Sequence, residues 1–399
     1  MTVDSNSKHN LVRGLGLIAA ISVVVGNVIG TGVFFKARVM TCNLGSPGWV
    51  LIAWVAAGFL SLAGALTYSE LAAMRPRAGA EYVILREAYG RMSSFLYGWM
   101  QVFIAKTGSQ AAVAVAFAIA LNDFLDGGLK QTVLKTEILG FPYEITSLQI
   151  IAVMMIIIFT TLNCASVILS GQIASALTFI KVALILFVGF GAFVFASGGD
   201  FGHFGLTAEG GACEAVDAGV RYGSAQYSFT AGFAAAMLGA LWGYDGWNNL
   251  TFVAGEVENP GRNIPLAIVG STLLIIILYV TVHIGYFFLL DPTVIANVSK
   301  DSAVAKVVVE QFFGGNAMNL ATGAAVAIFT VGLMMSSLGT LHTSILAGSR
   351  VPYAMASDGM MFKIFAKLSI NGVPITSLVF QGLWASLLAL SGSFDTLTD

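Results

Sequence analysis

Two apolar stretches of membrane-spanning length are interrupted by helix-weakening residues at matching places. The first, residues 14–35, carries Gly26-Asn27-Val28-Ile29-Gly30-Thr31-Gly32, and the sixth, residues 229–253, carries Gly239-Ala240-Leu241-Trp242-Gly243-Tyr244-Asp245-Gly246-Trp247. Glycine weakens a helix interior by roughly 1 kcal/mol, and in hydrocarbon every backbone group so released needs another partner. A helix that unwinds near Gly30 ends its first half on unpaired carbonyls around Val28 and Ile29 and begins its second on unpaired N–H groups around Thr31 and Gly32. Those ends carry partial charges of about half an elementary charge, negative and positive respectively. An α-amino acid matches both. Its carboxylate can take the N–H groups of Gly30, Thr31 and Gly32, as anions do at helix N-termini, and its ammonium can face the carbonyls of Val28 and, across in the sixth stretch, of Trp242 and Asp245. Gly243 beside Trp242 leaves room for the ligand. Interrupted spans at corresponding positions of two halves point to the binding site of a secondary transporter for a small charged or zwitterionic solute.

Gly26-x-x-x-Gly30 and Gly239-x-x-x-Gly243 are also small-xxx-small patterns, common where membrane helices pack closely. Asn27 and Asp245 inside the same interruptions favour the binding site. Asp245 could hold a substrate ammonium, carry a proton or be solvated in a vestibule. Lys181 is the second pointer: it lies near the middle of the apolar stretch 172–197, about 15 Å from the nearer end at 1.5 Å per residue. That is too deep for a simple snorkel, so its ammonium must find partners inside a bundle. Lys106, thirteen residues into the stretch 94–123, could contact substrate or be a paired structural lysine. His283 and His342, each alone in an apolar stretch, read as hydrogen-bonded packing residues.

The elements that must position these groups are membrane helices. Hydrophobic residues make up 57% of the chain and charged residues 10%, against roughly 25% charged in soluble domains. The formal net charge is −2 and no basic run suggests nucleic acid. With about 20 apolar residues per crossing, nine spans are expected at 14–35, 47–74, 94–123, 147–164, 172–197, 229–253, 264–290, 317–347 and 375–391. A short surface helix is expected around 303–313. The polar first ten residues and the lack of a small-residue cleavage site mark the first span as retained, not a signal peptide. With the N-terminus inside, inner segments hold ten Lys and Arg (Lys8, Arg13, Arg75, Arg77, Arg86, Arg91, Arg262, Arg350, Lys363, Lys367) and outer loops seven, with the densest cluster, Arg75 to Arg91, in a short loop. That bias places the N-terminus in the cytoplasm. Nine spans then put Asp399 outside, and the tail after residue 391 reads as the approach to a further helix. Cys42 and Cys213 fall in outer loops and could pair; with Cys164 the plainer reading is three free thiols. No HExxH, GxSxG or P-loop spelling and no His/Asp/Cys cluster within a span suggests an enzyme, a metal site or a cofactor. Asn297-Val298-Ser299 is a glycosylation sequon by spelling only.

The chain resembles the amino acid–polyamine–organocation superfamily, most nearly its L-type amino acid transporter branch. The resemblance runs over essentially the whole length and is carried by Gly26–Phe34, by the run from Tyr68 to Tyr82 containing Met74-Arg-Pro-Arg-Ala-Gly79, by Gly243-Tyr-Asp-Gly-Trp247, by Gly255-Glu-Val-Glu-Asn-Pro-Gly-Arg-Asn-Ile-Pro265 and by Ser349-Arg-Val-Pro-Tyr-Ala-Met-Ala-Ser-Asp-Gly359. It implies an all-α integral membrane protein with a five-plus-five inverted repeat, the leucine-transporter-type fold, helices 1 and 6 broken around the substrate. Residues 1–13 would be the cytoplasmic tail, 14–197 the first repeat, 198–228 an outer connection, and 229–399 a second repeat that stops near the start of helix 10, where members have twelve spans. It also implies that the family's carboxylate cradle falls on Gly30, Thr31 and Gly32 and its gating aromatic on Trp242. Lys181 would take the place of the sodium ion of sodium-coupled relatives, with Ser336, Ser337 and Thr340 as candidate neighbours. Asp245 departs from the usual small or neutral residue. Sodium-independent uniport or exchange of small neutral L-amino acids across the cell membrane is the expected activity, with proton- or sodium-coupled symport as the alternative. The stretch 124–146 lacks the cysteine by which animal members join a glycoprotein heavy chain, so no disulfide-linked partner is expected.

Overall fold

The structure, a computed structural model, describes residues 11–125, 127–138, 141–196, 198–208, 229–299, 302–316 and 319–391. Cys42 is disulfide-bonded, so the expectation of three free thiols does not hold, and Cys164 is the free cysteine among the described residues; Cys213 lies outside them, as do the first ten residues and the last eight.

The first expected span is two helices, α1 (Leu17–Val28) and α2 (Gly32–Leu44), which together run further than the apolar pattern indicated. α3 (Pro47–Met74) opens on a proline at a position whose N–H would be unpaired in any case. α4 (Glu81–Met100) contains Gly90 at φ 82°, ψ −170°, a conformation closed to L side chains, so its first turns are a separate helix ahead of the expected span. Arg86 therefore sits on a helix and not in the loop to which the charge count assigned it; Arg75 and Arg77 remain in the connection. One π-turn, Gln101–Ala105, joins α4 to α5 (Lys106–Phe124). The stretch 124–146, expected as a plain loop, holds an antiparallel hairpin of β1 (Thr132–Ile138) and β2 (Phe141–Thr146), a small outlying addition to an otherwise helical molecule. α6 (Ser147–Ala165) starts in a capping box between Thr146 and Gln149. A single extended residue, Ser166, turns the chain into α7 (Val167–Val194) and caps it by accepting the Leu169 N–H at 3.1 Å.

The sixth expected span is again two helices, α8 (Phe229–Tyr244) and α9 (Asn249–Phe252). α10 (Pro260–Leu289) follows. α12 (Val304–Glu310) falls where the short helix is expected but buries Val304, Ala305, Val308 and Val309, and an unexpected short helix, α11 (Pro292–Ala296), precedes it. α13 (Leu320–Gly348), α14 (Arg350–Ser357) and α15 (Ile375–Ser391) complete the order. Seven helical units are long and apolar enough to cross a membrane. α8 and α15, with 16 and 17 residues, are shorter apolar helices. The molecule is also apolar outside: Phe179 is 75% exposed and Ile104 69%, which suits hydrocarbon and not water.

α1 packs against α10, α7 and α13; α2 against α8; and α3 against α10 and α8. α5 packs against α13, α6 and α15. The broken helices and α3 and α10 thus form one group, α5, α6, α13 and α15 another, and α7 touches both. On the side where the chain enters α1, the groups are joined by a buried ion pair. Arg350 donates two hydrogen bonds of 2.8 Å to the Glu256 carboxylate, with both side chains fully buried, and a third to the Leu346 carbonyl at 2.8 Å. The Glu256 carbonyl in turn accepts the N–H groups of Gly14 and Leu15 at 3.1 and 3.0 Å. Arg350→Met strands the Glu256 carboxylate, a change that costs about 3–5 kcal/mol in comparable pairs. The expected result is a lower unfolding midpoint in detergent, with the double variant Glu256→Leu/Arg350→Met recovering most of the loss; thermal melts of the three proteins check this.

Candidate functional site

The two helix ends at the first break are treated differently. Beyond Val28 the chain makes a tight turn: the Ile29 N–H still reaches the Val25 carbonyl at 2.9 Å, and the Gly30 N–H turns back to the Val28 carbonyl at 2.9 Å. Thr31 then opens α2. The N–H groups of Thr31 and Gly32 find no acceptor among the described residues. Of the three amides expected to form an anion cradle, two are open and the third, that of Gly30, is spent on the turn.

The carbonyl end is closed. Lys181, fully buried on α7, donates to the carbonyls of Gly26 at 2.6 Å and Ile29 at 2.7 Å and to the Thr340 hydroxyl at 2.7 Å. An ammonium has three hydrogens, and these three acceptors use them all. No carboxylate within ion-pair distance balances the charge among the described residues; the negative end of the α1 dipole does so instead. Ser336 donates to the Ile29 carbonyl at 3.3 Å, and the Thr340 hydroxyl stands 3.2 Å from the Gly26 carbonyl. Ser337 does not join: its hydroxyl bonds to its own helix at Leu333. Gly339 makes the approach possible, since a Cβ there would lie 2.6 Å from Cε of Lys181.

The second break bends at Gly246, φ 111°, where an L side chain is strained. The Asp245 N–H reaches the Trp242 carbonyl at 3.2 Å, and α9 restarts with Asn249 bonded to the Gly246 carbonyl at 3.0 Å. The two breaks touch. A Cβ on Gly32 would meet the Gly243 Cα at 3.1 Å, and one on Gly246 would meet Asn27 at 3.0 Å. Tyr279 of α10 ties them together, its hydroxyl lying 3.0 Å from the Val28 carbonyl and 3.1 Å from that of Gly243.

Several expectations need correcting against this geometry. The Val28 carbonyl is engaged by Tyr279, that of Ile29 by Lys181 and Ser336, and that of Trp242 by Asp245, so these are not idle acceptors for a ligand ammonium. Gly243 opens no pocket: Trp54 fills the space, 2.7 Å from where its Cβ would be. Trp242 is 44% exposed, with its ring against Gly32 and the Lys36 ammonium 4.6 Å from its centroid. Asp245 is exposed and its carboxylate takes no hydrogen bond among the described residues. Lys106, half-buried, bonds to Asn249 Oδ1. His283 and His342 are fully buried packing residues, bonded to the carbonyls of Tyr279 at 2.7 Å and Ser170 at 2.8 Å. Tyr279 and Gly339 were missed by sequence reasoning. A tyrosine in an apolar span carries a hydroxyl that must be satisfied, which was the available signal for Tyr279; nothing in sequence marked Gly339.

A helical bundle built around two broken helices, with α1 and α8 ending in mid-bundle, defines a membrane transporter of the leucine-transporter fold. The solved structure of MhsT in complex with L-phenylalanine matches it with a TM-score of 0.56 at 12% identity, over 95% of this chain and 79% of that one. The amino acid permease family profile matches residues 15–399, and the chain belongs to that family. It is 28% identical to the b(0,+)-type amino acid transporter 1 of Mus musculus over 99% of its own length and 75% of the relative's. It is also 28% identical to the large neutral amino acids transporter small subunit 2 of Homo sapiens, over 97% and 66%.

Lys181→Met takes the shortest donor from the Gly26 and Ile29 carbonyls and leaves them only the longer Thr340 and Ser336 hydroxyl contacts at 3.2 and 3.3 Å, at a cost of about 1–3 kcal/mol. Uptake in proteoliposomes should fall roughly tenfold or more while the protein still inserts in the membrane; wild-type rates would contradict the role given to the ammonium.

Proposed function

We propose that this permease carries small neutral L-amino acids through a cell membrane by alternating access, without sodium, as a uniporter or exchanger. The observation that carries the reading is the Lys181 ammonium held by two peptide carbonyls and a threonine hydroxyl at 2.6–2.7 Å. A neutral oxygen cage of that kind suits a hard cation. Here a side chain supplies the positive charge permanently, so no ion need enter to steady the end of α1. The open N–H groups of Thr31 and Gly32 would receive the substrate carboxylate, with Trp242 beside Gly32 covering it. The substrate ammonium would then face the exposed Asp245 side of the second break, since the nearer carbonyls are engaged.

In this reading the group holding α1, α2, α3, α8, α9 and α10 rocks against the group holding α5, α6, α13 and α15. The N-terminus lies in the cytoplasm, the chain works without a disulfide-linked heavy chain, and it has no enzymatic activity. The names of the two relatives support amino acids as the substrate class. Proton-coupled symport is the second reading, favoured by the carboxylate of Asp245 standing exposed beside the site.

Radiolabelled L-amino acids tested in proteoliposomes decide between them. Replacing external sodium with choline should leave uptake unchanged, and internal amino acid should accelerate it if the protein exchanges. A large loss in choline would refute the lysine-for-sodium assignment, and accumulation driven by a proton gradient alone would select the second reading. Gly30→Leu supplies a separate check on the cradle. A Cβ on Gly30 meets only the Thr340 hydroxyl, at an ordinary 3.7 Å, so Gly30→Ala should melt like wild type. The leucine side chain, reaching further into the same space, should abolish binding, and unchanged affinity in Gly30→Leu would contradict the site.

A further inference from the structure

The Trp242 ring stands beside the open amides of the first break, yet burial alone does not hold it there, since 44% of the residue is exposed. Two residues of α2 meet it. Gly32 and Lys36, four apart, lie one above the other on a single face of that helix. Against Gly32 the ring comes so close that a Cβ there would meet Cζ3 at 3.1 Å and Cε3 at 3.2 Å. Lys36 follows about 6 Å further along α2, at 1.5 Å per residue. It sets its ammonium over the same ring, 4.6 Å from the centroid. Its stem runs along α8, with Cδ 4.0 Å from the Cβ position of Gly239, one turn before Trp242. An ammonium at that distance is drawn to the electron-rich face of an aromatic ring, and to indole more than to the others.

We propose that Lys36 is a positioning residue for Trp242: its ammonium holds the indole across the open N–H groups of Thr31 and Gly32, and so sets how long a bound amino acid stays on the site. The inference rests on the reading that the substrate carboxylate takes those two amides. In that arrangement the ring turns aside before the carboxylate leaves past it, and turning it breaks the contact with the ammonium. α2 and α8 pack on one another within one helix group, so the contact persists when that group rocks against the other. It is a latch on the cover, not a bond between the groups. Lys36 thus acts through the indole and need not touch the substrate.

The test measures release of radiolabelled L-alanine and L-leucine, the small and large ends of the neutral class, from the purified protein after dilution into unlabelled amino acid. Lys36→Met keeps the stem and removes the charge. Release should quicken about fivefold and affinity fall to match, while the protein melts like wild type. Lys36→Arg, which can stack its guanidinium on the ring, should stay within about twofold of wild type. Trp242→Leu should release at least as fast as Lys36→Met, and adding Lys36→Met to it should change nothing more, because the two side chains act as one unit. Three results overturn the proposal. Wild-type release from a folded Lys36→Met shows that the ammonium does not hold the cover. A further loss of about fivefold when Lys36→Met is added to Trp242→Leu shows that the lysine attracts the carboxylate directly or only packs α2 on α8. Wild-type release from Trp242→Leu shows that the ring covers nothing, whether or not the Lys36 variants fold. Failure of the wild-type protein to bind any amino acid is a different result and overturns the transport reading itself.

Discussion

Peptide groups that lose their helical partners in the middle of a hydrophobic bundle must be satisfied there, and most of this structure follows from that demand. Two helices stop in the bundle at Val28 and Tyr244. Water is not available to the released carbonyls, so the protein supplies donors from three other helices: the Lys181 ammonium from α7, the Ser336 and Thr340 hydroxyls from α13, and the Tyr279 hydroxyl from α10. The released N–H groups are treated differently. That of Gly30 is folded back onto Val28, and those of Thr31 and Gly32 are left open among the described residues. The asymmetry has a functional sense. In the reading proposed above, the negative end of α1 is neutralised by the Lys181 ammonium, and the positive end of α2 would be kept for the substrate carboxylate.

Close backbone approach is the second consequence. Gly32 lies against Gly243, and Gly246 against Asn27, so closely that a Cβ at either would be tight, at 3.1 and 3.0 Å. The two breaks are therefore one joint and not two separate kinks. Tyr279 spans them, its single hydroxyl hydrogen shared between a carbonyl from each. The buried Glu256–Arg350 pair bridges the same two helix groups on the side where the chain enters α1. The rocking proposed above would have to carry that pair along or part it.

Much of this was legible beforehand. The span positions followed from apolar length, and α3, matching its expected residues 47–74, is the plainest case. The breaks followed from clustered glycine at Gly26–Gly32 and Gly239–Gly246, and the inward direction of Lys181 from its depth alone. Errors arose where a local pattern has more than one tertiary meaning. Of the arginine cluster, Arg75 and Arg77 lie in the connection as the pattern indicates, but Arg86 and Arg91 lie on α4, whose first turns, set off by Gly90, are too polar to look membrane-embedded. Gly243 looked like a vacancy, yet a glycine beside a tryptophan is equally a place for another ring, and Trp54 occupies it. Ser336, Ser337 and Thr340 could not be separated, since helix phase decides that Ser336 and Thr340 share a face while Ser337 turns back to Leu333.

What the sequence alone determined was the set of demands: which segments lie in hydrocarbon, where their helices must fail, and which charge is stranded inside. Only the tertiary structure decided which group answers each demand. It assigned the lysine to Gly26 and Ile29, the tyrosine to Val28 and Gly243, and a π-turn to the task of carrying Lys106 to Asn249. The physical reason is that composition and period fix the solvent a residue prefers, whereas a hydrogen bond across helices depends on their relative rotation and depth. Those are set by packing of the whole bundle and are written in no single stretch of the chain.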